Sequence, residues 1–228
     1  MAPIEALPGA ILQLIFDQLN PASLWAARES SRVLYSAFNG CKTWLLPRLL
    51  RREIGDDLWV DALTAHSSWS ARYAKHEHVV RFLELCYARD EERLGLQMDI
   101  GNAHEMLRLH DTVLFLCEKL GTKALQGGRP TEDEGPMTPT ERLRICRALY
   151  RFELSCNATQ DVAWYDLTNP PYAPWENEQL CCIYEALVKL VYPGKLLRLT
   201  SYRTIGTNHL SGYSREPDVW RINLPEPE

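Results

Sequence analysis

The chain has 228 residues, of which 46% are hydrophobic and 24% are charged, and its formal net charge is -5 at pH 7. This composition is typical of a folded globular protein, and the length suits one domain with a small module or two small domains. The acidic balance argues against a nucleic-acid partner, which would require a basic face or stripe. The densest basic cluster, Arg48, Arg51 and Arg52, is followed directly by Glu53 and predicts a solvated helix face.

The cysteine usage and the N-terminal residues indicate a reducing compartment. Seven cysteines are present, and the first residues lack the basic and apolar stretches of a secretory signal. We therefore expect a protein of the cytosol or nucleus, with its cysteines mostly packed as small hydrophobic residues. No apolar run is long enough to span a bilayer, so no membrane partner is expected.

The first two predicted helices lie within the first forty residues. Apolar residues at helical spacing predict the first helix: Ile11, Leu12, Ile15, Phe16 and Leu19. Asn20 and Pro21 predict the start of a second helix, because asparagine is a good N-cap and proline suits the first helical position. Asn39 and Gly40 are expected to end this second helix in a left-handed turn.

Three further helices are predicted from periodicity in the middle of the chain. Trp44 to Ile54 predicts a short helix that Pro47 restricts to a first-turn start or a kink. Ser68 to about Arg93 predicts a long helix with a broad apolar stripe, and Asn102 to Leu120 predicts another that Gly121 should end. Strand patterns are weak throughout, so the fold class is predicted to be all-α.

The last part of the chain alternates loops with two helices. Residues 121–137 are rich in glycine, proline and acidic residues, which predicts an exposed loop. Thr138 is predicted as the N-cap of the next helix, and Glu141 should complete a capping box with it. Pro174 is expected to open the last helix, and the tail from residue 193 is expected to be mostly irregular.

One motif near the N-terminus carries a family resemblance. It consists of Leu7-Pro8, Ile11-Leu12, Ile15-Phe16, Leu19, Pro21, Leu24, Ser31-Arg32 and Leu34-Tyr35. This spacing resembles an F-box, a three-helix module that wedges against the C-terminal helices of an Skp-type adaptor. Two positions depart from the family pattern, since Ala10 stands where glutamate is usual and Ser30 where valine is usual.

The resemblance implies a division of labour along the chain. Residues 1–45 would form the F-box module, and residues 46–228 an irregular helical domain that recruits an unknown target protein. Through the adaptor the chain would join a cullin, as the substrate-recognition subunit of a ubiquitin ligase. The resemblance implies no catalytic residue, no metal and no cofactor. It assigns contact with the adaptor to Leu7, Pro8, Ile11, Leu12, Ile15, Leu19, Leu24 and Arg32.

A second segment supports the same assignment. Residues 138–153 together with 174–180 are similar to a helical region of many F-box proteins of filamentous fungi, whose role is largely unassigned. The two resemblances together touch about a third of the chain. Residues 60–135 and the tail beyond residue 192 are supported by periodicity alone.

Three alternatives remain open at this point. The apolar residues near the N-terminus could be the plain core of a helical hairpin. An F-box protein could also act with its adaptor outside any ubiquitin ligase. A hidden enzyme would instead require a deep pocket with converging polar groups, for instance around His104, His110 and Glu153. His76 and His78 lack metal-ligand spacing on a helix, and the adjacent pair Cys181-Cys182 is expected to pack in the core.

Overall fold

The computed structural model describes residues 4–71, 76–89, 98–127, 136–158 and 172–191. All regular structure in these ranges is helical, which confirms the all-α prediction. A short 3-10 turn spans Ile4–Ala6 and precedes the α-helices. These are α1 (Gly9–Gln18), α2 (Pro21–Ser30), α3 (Arg32–Ile54), α4 (Asp56–Ala71), α5 (His76–Tyr87), α6 (Ile100–Gly127), α7 (Pro139–Ala158) and α8 (Pro174–Val191).

Helices α1 and α2 pack on the first half of α3. Asn20 caps α2 as predicted, because its side chain accepts a hydrogen bond from the Ser23 N–H at 2.8 Å. Phe38 of α3 is fully buried and meets the edge of Phe16 at 6.4 Å and of Trp25 at 6.2 Å. These edge-to-face aromatic contacts fix the angle at which α1 and α2 lie on α3.

Helix α3 is longer than predicted. The break falls at Ser31, whose side chain accepts from the Leu34 N–H, and the helix then runs without interruption to Ile54. The predicted stop at Asn39-Gly40 is wrong, because both residues are helical and the neighbouring turns bury their apolar side chains on either side of this point. Gly55 ends the helix instead, with a φ of 89°. The predicted module boundary at residue 45 therefore lies inside α3.

Most of helix α4 was not predicted, because the predicted helix in this region begins only at Ser68 whereas α4 begins at Asp56. It begins directly after Gly55, with Asp56 and Asp57 in its first turn, where carboxylates complement the helix dipole. Its buried face mixes small and polar residues with apolar ones, so the usual stripe is weak. The segment predicted as one helix from Ser68 to Arg93 is helical over residues 68–71 in α4 and over His76–Tyr87 in α5, whereas residues 72–75 and 90–93 lie outside the described residues. The apolar stripe predicted for this segment includes Tyr73 and Tyr87; Tyr73 and the side chain of Tyr87 lie outside the described residues.

Helix α6 also continues past its predicted end. Gly121 is helical and lies against Met137, whose Sδ would be 2.8 Å from a Cβ at this position. The glycine therefore allows a close approach rather than a turn. Residues 121–127, predicted as the start of a loop, are helical, and the rest of that loop up to residue 135 lies outside the described residues.

The capping box of α7 is confirmed. The Glu141 N–H donates to Thr138 Oγ1 at 3.2 Å, and the Thr138 N–H donates back to Glu141 Oε2 at 2.7 Å. Helix α8 opens at Pro174 as predicted. A single core of buried apolar residues extends from Leu12 in α1 to Ile183 in α8. The tail from residue 193 lies outside the described residues.

Candidate partner-binding surface

The residues assigned to adaptor contact divide into three groups by exposure. Leu12 and Leu24 are 1% and 0% exposed, so they belong to the core and offer no surface to a partner in this conformation. Ile15 and Leu19 are half-buried. The exposed residues are Leu7, Pro8, Ile11 and Arg32. Four of the eight predicted contact residues are therefore exposed in this structure.

The orientation of α1 explains this division. At 100° per residue, Leu12 and Phe16 lie on one side of the helix, whereas Ile11 and Leu14 lie on the other. Leu12 and Phe16 are each 1% exposed and pack toward α3, while Ile11 is 43% and Leu14 is 63% exposed. Of the predicted stripe, Leu12 and Phe16 are therefore buried, Ile15 and Leu19 are half-buried, and Ile11 is exposed. Leu14 was missed because it breaks that stripe.

Four large apolar residues form what we call the outer face: Ile4, Leu7, Ile11 and Leu14. Leu7 is 37% exposed and Ile4 is 49% exposed, and the Leu7 N–H donates to the Ile4 carbonyl at 3.1 Å. Pro8 then joins this turn to α1, since its carbonyl accepts from the Ile11 and Leu12 N–H groups. The turn and the helix therefore hold the outer face in a fixed backbone conformation.

A basic cluster of α3 anchors the other end of α1. Arg52 donates to the carbonyls of Asp17 and Leu19, which would otherwise lack partners at the end of the helix. Arg48 Nε lies 3.2 Å from the Asp17 carboxylate, which is almost buried. Arg51 Nε donates to Asp56 at 2.5 Å. The predicted solvated basic face therefore has a structural role, since it joins α1 to α3 and α3 to α4.

The N-terminal helices are also fixed to the rest of the protein. Trp25 of α2 stacks on His104 of α6, with ring centroids 4.6 Å apart and an interplanar angle of 30°. Farther along, the second half of α3 contributes Leu46 and Leu50, both fully buried, to the common core. The orientation of the outer face relative to α6 is therefore determined by packing.

Further apolar side chains are exposed on α3. Val33, Tyr35 and Trp44 are 45%, 47% and 43% exposed. The Arg28 guanidinium lies over the Tyr35 ring at 5.1 Å. Hydrogen bonds with Asn39 and Arg28 lower the pKa of Tyr35. At 100° per residue, Tyr35 lies about 160° from Val33 and about 180° from Trp44 around α3, so the three side chains do not share one face. Tyr35 next to Arg28 extends the candidate surface, because tyrosine and arginine are frequent among binding hot spots.

The two positions that depart from the F-box pattern lie on the surface. Ala10 is exposed in the first turn of α1. Ser30 is exposed at the last position of α2, where its hydroxyl donates to the Ala27 carbonyl at 2.8 Å. Neither Ala10 nor Ser30 disturbs the core, so these two departures from the pattern change only the surface of the protein.

The residues proposed for a hidden enzyme site do not converge. His104 stacks on Trp25, and His110 Nδ1 lies 2.7 Å from the buried Tyr150 hydroxyl. Burial lowers the pKa of His110, so the imidazole is neutral at pH 7. Glu153 accepts hydrogen bonds from Trp69 and Asn157 at 3.0 Å. Each residue thus has a separate packing or hydrogen-bonding role.

The cysteines and histidines form no metal site within the described ranges, where no group of three His, Cys, Asp or Glu side chains is placed to hold an ion. Cys41, Cys86, Cys117 and Cys146 are buried as expected. Cys181 and Cys182 are exposed, so the expectation that they pack in the core is wrong. Both face away from the half-buried stripe of α8, which the packing against α7 selects.

Compared with known proteins, the chain matches no family model, no curated protein and no solved structure. Among the described helices, none combines the length and apolar character that a membrane span requires.

Proposed function

We propose that this protein is a substrate-recognition adaptor of an Skp-cullin-F-box ubiquitin ligase, and that its outer face docks onto the Skp-type adaptor. The proposal is supported by the F-box resemblance of residues 7–35 together with the exposure of Ile11 and Leu14 on one side of α1 and of Leu7 in the turn before it. The single observation that carries it is this exposure. A plain helical hairpin would bury its apolar residues, whereas α1 buries one stripe and presents a second.

The docking energy is estimated from the area that remains exposed. Full burial of a large apolar side chain contributes about 1.5 to 3 kcal/mol. The outer-face residues are 37% to 63% exposed, so covering them contributes about half of that amount each, or about 3 to 6 kcal/mol for all four. Association costs about 4 to 15 kcal/mol, so the outer face alone is insufficient.

The proposed interface therefore includes part of α3. Tyr35 is 47% exposed, and Arg32, which is exposed at the first position of the helix, lies about 60° from it on the same side of α3. Large aromatic and arginine side chains contribute most strongly when an interface excludes water around them. We propose that these α3 residues, rather than the buried Leu12 and Leu24, supply the remaining binding energy.

The test is co-elution of the full chain with a purified Skp-type adaptor on a size-exclusion column. We expect a stoichiometric complex that Ile11→Glu abolishes, because a carboxylate would be buried without a partner. Phe115→Glu is the matched control, since Phe115 is 59% exposed on α6 and lies outside the proposed interface. Helical circular dichroism should be unchanged in both variants. Absence of a complex with the unmodified chain would contradict the proposal.

The role in a ligase requires a second measurement. Adding a cullin to the chain and its adaptor should give a three-component complex, because the adaptor is proposed to bridge the other two. A complex with the adaptor from which the cullin is always excluded would refute the ligase role while leaving adaptor docking intact.

A further inference from the structure

Three cations surround the exposed Tyr35 where α2 meets α3. Arg32 and Lys42 lie on the same side of α3 as Tyr35, at about 60° and about 20° from it around the helix axis. The Arg28 guanidinium of α2 lies 5.1 Å from the centre of the Tyr35 ring. We call these four residues, which come from two helices and share one surface, the Tyr35 patch.

Two of the three cations in the patch lack a partner. No hydrogen bond or ion pair joins Arg32 or Lys42 to an acidic residue in the part of the chain that the structure describes. Arg28 lies 3.7 Å from the Glu29 carboxylate, and its buried Nε has no hydrogen-bond partner among the described residues. Three cations and one carboxylate leave an excess of two positive charges, and the unpaired charges belong to the patch itself.

The charge on Arg32 does not stabilise its own helix. Arg32 is the first residue of α3, where the free N–H groups already give the helix end a partial positive charge. Acidic residues favour this position, but the first turn of α3 has none. The positive charge also acts on Tyr35, since hydrogen bonds from Asn39 and Arg28 and the charges of the neighbouring cations lower its pKa. A charge that breaks a local rule without an internal partner is expected where a binding partner compensates it.

The spacing of the two unpaired cations sets the size of the occupant. Arg32 and Lys42 are ten residues apart in α3, which corresponds to about 15 Å along the helix axis. A single small anion would contact only one of them. An extended peptide advances about 3.3 Å per residue, so a segment of about five residues spans the distance.

We propose that the Tyr35 patch binds an acidic segment of the partner protein, with one carboxylate at Arg32, another at Lys42 and the Tyr35 ring packed between them. The chain has a net charge of -5, so the rest of its surface repels a long polyanion, whereas a short acidic segment meets only the patch. An exposed tyrosine next to arginines is typical of protein-binding hot spots. The inference rests on the proposed function in assigning this segment to the Skp-type adaptor.

The test is an NMR titration of the full chain with acetyl-hexaglutamate-amide and with acetyl-hexaglutamine-amide, at low ionic strength where surface charges are least screened. We expect hexaglutamate to shift the signals of Arg32, Tyr35 and Lys42 with a dissociation constant on the order of 1 mM. Hexaglutamine should bind about tenfold more weakly, because both ion pairs are lost. Equal binding of the two peptides, no binding of either, or shifts confined to residues outside the patch would overturn the proposal.

Variants of the two unpaired cations test their separate contributions. Arg32→Gln and Lys42→Gln should each weaken hexaglutamate binding about threefold, and the double variant about tenfold, because the two cations hold different carboxylates. Arg81→Gln, on the exposed side of α5, is the matched control and should leave binding unchanged. If Arg32→Gln binds hexaglutamate as well as the unmodified chain, the proposal is refuted even where Lys42→Gln fails to fold.

A hexathymidylate titration distinguishes an acidic protein segment from a nucleic acid. Tighter binding of hexathymidylate than of hexaglutamate at the patch would overturn the assignment to carboxylates and identify a phosphate-binding surface instead. Tighter binding of hexaglutamate would support the assignment, because both probes carry several charges and differ in the anion.

The adaptor complex gives an independent measurement. Replacing Arg32 and Lys42 together by glutamine should weaken adaptor binding and make it less sensitive to salt. If the adaptor docks and the double variant changes neither property, the inference fails while the proposed function stands. If hexaglutamate binds at the patch but no adaptor docks, the acidic specificity stands and the proposed function fails.

Discussion

Two leucines on the same helix should respond very differently to truncation. Leu12 is 1% exposed and Leu14 is 63% exposed, so Leu12→Ala and Leu14→Ala remove the same atoms from opposite faces of α1. Leu12→Ala should lower the free energy of unfolding by about 2 to 5 kcal/mol, the usual cost of a buried leucine. Leu14→Ala should lower it by less than about 1 kcal/mol, because little of its side chain is buried.

Urea unfolding monitored by circular dichroism measures both changes. In thermal unfolding, a change of 1 kcal/mol corresponds to about 2 to 4 °C for a chain of this size. Leu12→Ala should therefore lower Tm by at least about 4 °C, and Leu14→Ala by less than about 2 to 4 °C. Equal losses for the two variants would refute the orientation of α1, and with it the assignment of the outer face to the surface.

Two further predictions concern backbone conformation and pH. Gly40→Ala should raise the free energy of unfolding by about 0.5 to 1 kcal/mol, because the glycine is helical and its Cβ would meet only Gln13 Nε2, at 3.8 Å. Gly55→Ala should lower the free energy of unfolding, because the φ of Gly55 is 89°. Denaturant unfolding measures both changes, and two changes in the same direction would contradict the backbone conformations of the two glycines. Burial lowers the pKa of His66 and of His110, although Glu105 opposes the shift at His66. Near and below pH 6.5 the unfolded chain therefore binds protons at these histidines that the folded chain does not bind. Tm should therefore fall as the pH is lowered from 7.5 through 6.5, and His66→Phe should make Tm less dependent on pH. A Tm that rises on acidification would contradict the lowered histidine pKa values.

The features that the sequence predicted correctly are the ones fixed by local chemistry. The Asn20 cap and the Thr138–Glu141 capping box each depend on side chains within three residues, and both form as predicted. The proline starts of α2 and α8 are local in the same sense. Such signals do not depend on the rest of the fold, so spacing alone was sufficient.

The errors arose where packing overrides a local signal. The glycine signals predict helix ends at Gly40 and Gly121, but both residues are helical, and Gly121 allows the close approach of Met137, sixteen residues away. Leu12 is buried and Ile11 is exposed because α3 packs against the side of α1 that carries Leu12. Periodicity predicts one stripe that contains both residues, and which edge of that stripe is buried depends on the position of the partner helix, about which α1 itself carries no information.

The ion pairs around Asp61 could not be predicted from the sequence for a similar reason. Asp61 lies in α4, Arg89 lies in the turn after α5, and Arg151 lies in α7, and their spacing matches no motif. The only available signal was a pair of arginines at i and i+4 in α7, Arg147 and Arg151, which both reach Asp61. On a helix such a pair usually lies on a solvated face, so its convergence on a buried carboxylate required the tertiary structure.

Amide hydrogen exchange of the chain with and without a Skp-type adaptor tests the central claim most directly. We expect adaptor binding to slow exchange in residues 4–18 and in the first turns of α3, which carry the outer face and its extension. Exchange in α6 around Phe115 should be unchanged. A stable complex whose protection lies on α6 or α8 while residues 4–18 exchange as in the free chain would contradict the account.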